Sequence, residues 1–197
     1  MVWGGLIATM LVILVAIIVL PSRGTPPPIY GALPDFALED QNNHTVNLAD
    51  LRGQTWIADV IFTRCPGQCL ILSGHMKEIQ AALPADAPVK LVSFTTDPAF
   101  DTPAVLKKYG QHFGADEDRW IFLTGDKSAL RRATVEGMKL AVIDKPPGQQ
   151  TSANDLFIHS DKFVLIDQNG RLRGWFDGEN PESIAQVVSA AKTLARE

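Results

Sequence analysis

The amino-acid sequence predicts an α/β protein in which helices cover both faces of a mixed β-sheet. Apolar runs of strand length alternate with amphipathic helical segments in the first part of the domain, and a hairpin with a terminal helix closes the chain. The 197 residues are 46% apolar, enough to bury one core without disulfide staples. A net charge of −4 without a long basic block argues against a nucleic-acid partner.

The first 34 residues are predicted to lie outside this domain. Val2–Leu20 contains neither a charged residue nor proline, and as a helix it would span about 28 Å, close to the hydrocarbon core of a bilayer. The sequence that follows is a poor signal-peptidase site, so we expect residues 1–20 to be an uncleaved transmembrane anchor. Residues 21–34 carry five prolines, which favours a semi-rigid spacer before a domain of residues 35–197.

The predicted elements of the domain begin with a hairpin, formed by Phe36–Leu38 and Thr45–Leu48 around a polar run. Trp56–Phe62 is apolar except for Asp59 and is therefore predicted to be a buried central strand. A helix is expected from about Pro66 to Leu83, with proline in its first turn and apolar residues at helical spacing along one face.

The later elements continue the alternation and end in antiparallel strands. Strands are predicted at Pro88–Thr95, Trp120–Leu123, Lys139–Ile143, Leu156–His159, Lys162–Asp167 and Arg171–Phe176, and helices at Thr102–Phe113, Asp126–Gly137 and Asn180–Ala195. Asn169-Gly170 is a strong signal for a two-residue hairpin turn. This order of elements is thioredoxin-like.

The two cysteines, Cys65 and Cys69, lie where the first buried strand passes into its helix. Exposed N–H groups and the helix dipole lower thiol pKa values at such a position, and the thiolate is both a nucleophile and a metal ligand. Residues i and i+4 of a helix have Cβ atoms about 5–6 Å apart, so a disulfide forms only if Cys65 stands just outside the helix. The spacing alone favours a redox-active pair and a metal-binding pair equally. Both are favoured over a structural disulfide and over two inert buried thiols.

A metal held by two thiolates needs a third ligand to close the site, and the chain offers four histidines. We expect His44, in the polar hairpin, to be exposed, and His112, near a helix end, to interact with the helix dipole at its C-terminus. His75 lies on the helix that follows the cysteines but off their face. His159 ends a short strand after a long loop and is the strongest candidate for the third ligand. The alternative interpretation is that its ring bonds to a backbone carbonyl and has no ligand role.

Three motifs in the same order resemble those of the Sco/SenC (PrrC-like) copper proteins. They are Phe62-Thr63-x-Cys65-Pro66-x-x-Cys69, Asp97-Pro98-x-x-Asp101-Thr102-Pro103, and His159-Ser160 with the hairpin turn that follows. The resemblance covers the chain from about residue 30. It implies a thioredoxin-like fold, with Cys65 and Cys69 as thiolate ligands of copper, His159 as the imidazole ligand, and Asp97 at an acidic position near the site. Leu70 departs from the family, which usually has proline there, and so does Ile158, where an acid is often found.

The resemblance further implies a role in assembling the binuclear copper (CuA) centre of cytochrome c oxidase. The expected partners are the copper-accepting oxidase subunit, a thiol reductant protein and the membrane, and the cargo is Cu(I) or Cu(II). Asp97 or Asp161 is expected to orient a neutral His159. The domain is then expected on the periplasmic side of the inner membrane, although the single flanking charge, Arg23, would favour the cytoplasm.

A thiol–disulfide reductase is the alternative function. Cys65 would attack a disulfide of a copper-site protein, and Cys69 would resolve the mixed disulfide. A general thioredoxin is disfavoured because three residues, not two, separate the cysteines. A peroxidase of the peroxiredoxin type is disfavoured because Thr63 stands only two positions before Cys65.

Overall fold

The computed structural model describes residues 25–150 and 157–197. The strands are β1 (Gly31–Ala32), β2 (Ala37–Glu39), β3 (Thr45–Asn47), β4 (Thr55–Ile61), β5 (Val89–Thr95), β6 (Trp120–Leu123), β7 (Val142–Asp144), β8 (Phe157–His159), β9 (Lys162–Ile166) and β10 (Arg171–Asp177). The helices are α1 (Gln68–Ala82), α2 (Pro103–Phe113), α3 (Lys127–Arg131, continued by a π-helix over Arg132–Gly137) and α4 (Glu182–Leu194).

A six-stranded mixed sheet in the order β1-β10-β9-β4-β5-β6 forms the centre of the domain. β4, β5 and β6 are parallel, whereas β9 runs antiparallel to β4, β10 to β9 and β1 to β10. Two smaller hairpins, β2-β3 and β7-β8, lie outside this sheet. All seven residues of β4 are buried, as predicted for a central strand. The thioredoxin-like α/β architecture is confirmed.

Alternate residues of β4 face two separate hydrophobic cores, because successive side chains of a strand point to opposite faces. Ile57 and Ile61 pack in one core with apolar residues of α1, α2 and α4. Trp56, Ala58 and Val60 pack in the other, with α3 and the β2-β3 hairpin. The sheet is therefore covered on both sides, and a polar side chain on β4 has no route to solvent.

Several predicted bounds shift by one or two residues, and three departures affect the site or the edge of the sheet. α1 begins at Gln68 rather than Pro66, since the chain makes a turn over Phe62–Cys65 before the helix starts. β7 begins three residues after the predicted strand and ends one residue after it, because Lys139, the predicted first residue, adopts a left-handed backbone conformation with φ 59°. Gly31–Ala32, inside the predicted spacer, pairs with β10 and forms the edge of the sheet.

The predicted anchor at residues 2–20 lies outside the described residues. In the part of the chain that the structure describes, no helix has the length and apolar character needed to cross a bilayer.

Candidate metal centre

The turn between β4 and α1 holds Cys65 outside the helix and Cys69 within its first turn. The Cys65 backbone N–H bonds to the Phe62 carbonyl at 3.1 Å, and the Cys69 N–H points at Cys65 Sγ at 3.4 Å. Cys65 is half-buried, Cys69 is fully buried, and both are free thiols. Cys65 therefore stands outside the helix, which is the condition that the spacing of the cysteines requires for a disulfide.

The β7-β8 hairpin brings His159 to the two sulfurs from 90 residues along the chain. Its Nε2 lies 3.1 Å from Cys69 Sγ, and its Nδ1 lies 3.0 Å from the Ser160 carbonyl oxygen. The ring is nearly buried, and the edge of Phe62 packs against it with centroids 5.7 Å apart. A proton on Nδ1, donated to Ser160, leaves the Nε2 lone pair directed at the sulfurs, which is the tautomer that a metal ligand needs.

The candidate ligand atoms of Cys65, Cys69 and His159 all lie within 4.8 Å of one another. Of the described residues, these form the one cluster of at least three Cys, His, Asp or Glu side chains with that convergence. Two sulfurs and one imidazole nitrogen are soft to borderline donors, the set that favours copper(I) over hard cations. The donor set fits a copper ion.

The two thiols have opposite acidities. The Cys69 thiol, helped by His159 and by nearby backbone N–H groups, lowers the pKa of Cys65 to about 4. The same contact with Cys65, together with burial, raises the pKa of Cys69. The pair therefore holds one thiolate at the half-exposed position and one thiol at the buried position.

The two acids predicted to orient His159 have other partners. Asp97 accepts hydrogen bonds from Arg64 Nη2 at 2.5 Å and Arg64 Nε at 3.2 Å. Asp161 pairs with Lys162 Nζ at 3.0 Å. The Nδ1 atom of His159 contacts the backbone carbonyl oxygen of Ser160 instead. A bond to a backbone carbonyl was the alternative considered for this histidine.

Asp101 supports the site, although the sequence showed it only as one position of the second motif. It is fully buried, and it accepts hydrogen bonds from the Thr63 backbone N–H at 3.1 Å, from the Thr63 hydroxyl and from the Thr95 hydroxyl at 2.5 Å. The carboxylate thereby ties the cysteine turn to the end of β5. Its place in the second motif, three residues after Asp97-Pro98, was the signal available from sequence.

The other three histidines lie away from the cluster, as expected. His44 is largely exposed and pairs with Asp40 at 3.2 Å. His75 Nδ1 contacts the Gly178 carbonyl oxygen at 2.6 Å. His112 is exposed at the end of α2.

Asp59 lies beneath the site, in the middle of β4. It points to the same face as Ile57 and Ile61, into the core that contains Cys69. Among the described residues, no hydrogen bond reaches either of its buried carboxylate oxygens. Burial raises the pKa of Asp59 to about 7, against the opposing effects of Ser93 beside it on β5 and of His159. The sequence showed this residue only as one polar position in an apolar strand.

Comparison with known proteins identifies the family. The SCO1/SenC family model matches residues 29–195. The SCO1 protein homolog of Bacillus subtilis is 30% identical over 170 residues, covering 85% of each chain. The structure of BsSco, described as a member of the Sco family of cytochrome c oxidase assembly proteins with a disulfide switch, superimposes with a TM-score of 0.69 at 32% identity, covering 86% of this chain and 98% of BsSco.

A copper-bound relative shares the same fold. Yeast Sco1 with copper bound superimposes with a TM-score of 0.64 at 25% identity, covering 81% of this chain and 88% of the yeast chain. Because the family model spans almost the whole described domain, including both cysteines and His159, this chain belongs to the SCO1/SenC family.

Proposed function

We propose that this protein is a membrane-anchored copper chaperone that binds one copper ion through Cys65, Cys69 and His159 and delivers it during assembly of the CuA centre of cytochrome c oxidase. The observation that carries the proposal is the convergence of these three ligand atoms within 4.8 Å. Membership of a family that includes a copper-bound Sco1 and a protein named for cytochrome c oxidase assembly supports the same role.

The acidities of the thiols suit reversible metal binding. Cys65 is a thiolate already at neutral pH, whereas Cys69 must release its proton when a metal binds, so loading is coupled to proton release. Cys65 is the most accessible of the three ligands and is the one that an acceptor's thiolate reaches first. Oxidation of the pair to a disulfide removes both sulfur ligands and stops binding.

The same asymmetry supports a second candidate function, reduction of a disulfide in a copper-site protein. The Cys65 thiolate attacks one sulfur of that disulfide and releases the other as a thiolate, forming a mixed disulfide. Cys69 then gives up its proton and attacks Cys65 Sγ, which releases the second substrate sulfur as a thiolate. The protein is left with a Cys65–Cys69 disulfide, and a thiol reductant protein must supply two electrons to restore it.

The location follows from the sequence of the first residues. Val2–Leu20 is long and apolar enough to cross a bilayer once, and we assign the domain to the periplasmic side of the inner membrane because the resemblance to the Sco/SenC family implies that side. This assignment sets aside the single flanking charge of Arg23.

Competition for Cu(I) tests the proposal. The reduced, detergent-solubilised chain is titrated with Cu(I) in the presence of a chromophoric chelator, and we expect one equivalent to bind. Loss of the imidazole in His159→Ala should weaken binding by at least about tenfold, because even the loss of an outer partner costs a metal site that much. His112→Ala, which removes an exposed histidine, is the matched control and should bind as the parent does.

A second assay separates the two functions. Reduction of a small disulfide by each variant is followed through thiol release, and Cys65→Ser should abolish it. If His159→Ala binds copper as tightly as the parent while Cys65→Ser loses disulfide reduction, the chaperone assignment is wrong and the reductase assignment stands.

A further inference from the structure

The chain joins the domain at one edge of the sheet and is attached there from Pro27 onward. Arg173 Nε donates to the Pro27 carbonyl at 2.8 Å, and the Tyr30 N–H donates to the Leu172 carbonyl at 2.8 Å. Arg173 is itself buried and held by Asp167 at 2.7 Å. The point at which the chain joins the domain is therefore fixed on β10.

The link between this point and the anchor assigned above is short. From Leu20 to Pro27 there are seven residue steps. Fully extended, they reach at most about 24 Å. Since the rest of the predicted spacer is bound to the domain, the β10 edge cannot move farther than this from the end of the anchor. The linker thus holds one particular face of the domain near the bilayer.

That face carries an exposed apolar patch, which we call the edge patch and define as Ile29, Tyr30 and Trp175. Their exposed fractions are 53%, 53% and 37%. The Tyr30 and Trp175 rings contact each other with centroids 4.8 Å apart. Trp175 Nε1 already donates to the Met138 carbonyl at 2.8 Å, so the part of the ring left exposed is apolar.

We propose that the edge patch rests in the headgroup layer of the bilayer that holds residues 2–20. The inference depends on the anchor assigned under the proposed function. Tyrosine and tryptophan are the residues that membrane–water interfaces favour. Because the short linker keeps the edge patch close to the bilayer, its effective concentration at the membrane surface is high. A small apolar area therefore suffices to maintain the contact. The other exposed apolar side chains of α1 and the β5-α2 loop, Leu70, Ile71 and Phe100, lie on elements that do not adjoin this edge.

The contact sets the position of the metal centre relative to the membrane. β10 runs parallel to β4, since each is antiparallel to β9, and the registers place Trp175 level with Ala58, three residues before the end of β4 that leads into the cysteine turn. β10 and β4 are separated by one strand, a distance of about 10 Å. The contact therefore keeps the metal centre near the bilayer, where an acceptor embedded in the same membrane can reach it.

Trp175 fluorescence in vesicles tests the contact without copper. The full chain with Trp3→Phe keeps Trp56 and Trp120, both fully buried, and Trp175. It is reconstituted in phosphatidylcholine vesicles with or without bromine on the acyl chains, and subtracting the spectrum of the Trp3→Phe/Trp175→Phe chain isolates Trp175. We expect Trp175 emission to shift to the blue in vesicles and to lose most of its intensity with brominated lipid.

Charge on the patch should reverse the effect. Ile29→Glu/Tyr30→Glu should restore Trp175 emission in brominated vesicles while copper binding stays at the parent value. Ile143→Glu, at a position 54% exposed on β7, is the matched control and should leave quenching unchanged.

Three results would overturn the inference. Equal quenching of Trp175 by acrylamide with and without vesicles would place the patch in water. Protection from acrylamide without bromine quenching would mean that protein, such as a second copy, covers it. Failure of the chain to float with vesicles would remove the anchor and the edge contact together. A chain that does not bind copper but shows bromine quenching would refute the chaperone assignment alone.

Discussion

We expect Asp59 to contribute a loss of folded-state stability as the pH rises from about 4 to about 7. The carboxyl is fully buried in β4 and, within the described residues, has no hydrogen-bond partner, so the folded protein favours its neutral form. Burial raises its pKa from 3.8 to about 7. Between these two values the unfolded chain loses the proton while the folded chain keeps it. At this residue the folded state therefore binds more protons, so the contribution of Asp59 to stability decreases as pH increases through this window.

The size of the effect follows from the shift. One unit of pKa corresponds to about 1.4 kcal/mol, so the parent should lose about 4 kcal/mol of unfolding free energy from this residue once the pH has risen from below the unfolded pKa to above the folded one. Asp59→Asn keeps the shape of the side chain and cannot ionise. We expect the variant to match the parent near pH 4 and to exceed it by about 4 kcal/mol at pH 8.

Urea unfolding of the reduced, copper-free protein at several pH values measures this difference. Subtracting parent from variant at each pH cancels the titration of all other groups. Asp86→Asn, which neutralises an exposed acid, is the matched control and should show no such slope. A difference between Asp59→Asn and the parent that does not change with pH, or a variant less stable than the parent at pH 8, would refute the reasoning.

Two further predictions concern the cysteine pair and the sheet edge. Iodoacetamide should alkylate Cys65 of the copper-free protein at a rate nearly constant from about pH 6 to 8, because its pKa of about 4 leaves the thiol ionised throughout. The rate is measured by mass spectrometry. A rate that rises about tenfold per pH unit would show an ordinary thiol and contradict the prediction. Arg173→Met should lower the unfolding free energy by roughly 3 kcal/mol in urea, since it leaves the buried Asp167 without its closest partner; an unchanged midpoint would contradict this.

The fold was largely predictable because its signals are local. An apolar run without alternation predicts a strand buried on both faces, and β4 is such a strand. A helix was predicted from Asp126, and α3 begins at Lys127 with the Asp126 side chain capping it by accepting the Ala129 N–H at 2.8 Å. The start of α1 was missed by two residues because the turn at Phe62–Cys65 depends on the Asp101 carboxylate, which comes from 38 residues along the chain. Local patterns carry no information about such a partner.

The order of elements, the cysteine pair at a strand–helix junction and the choice of His159 among four histidines could be derived from the sequence, the last through the resemblance of its motifs to a family. Periodicity and motif spacing are properties of a linear chain, and these conclusions needed nothing more.

Only the tertiary structure decided what the side chains do to one another. It placed the His159 ring against Cys69, paired Asp97 with Arg64, buried Asp59 beneath the site and bound the predicted spacer to β10. Each depends on contacts between residues far apart in the chain, whose distances are set by packing of the whole domain.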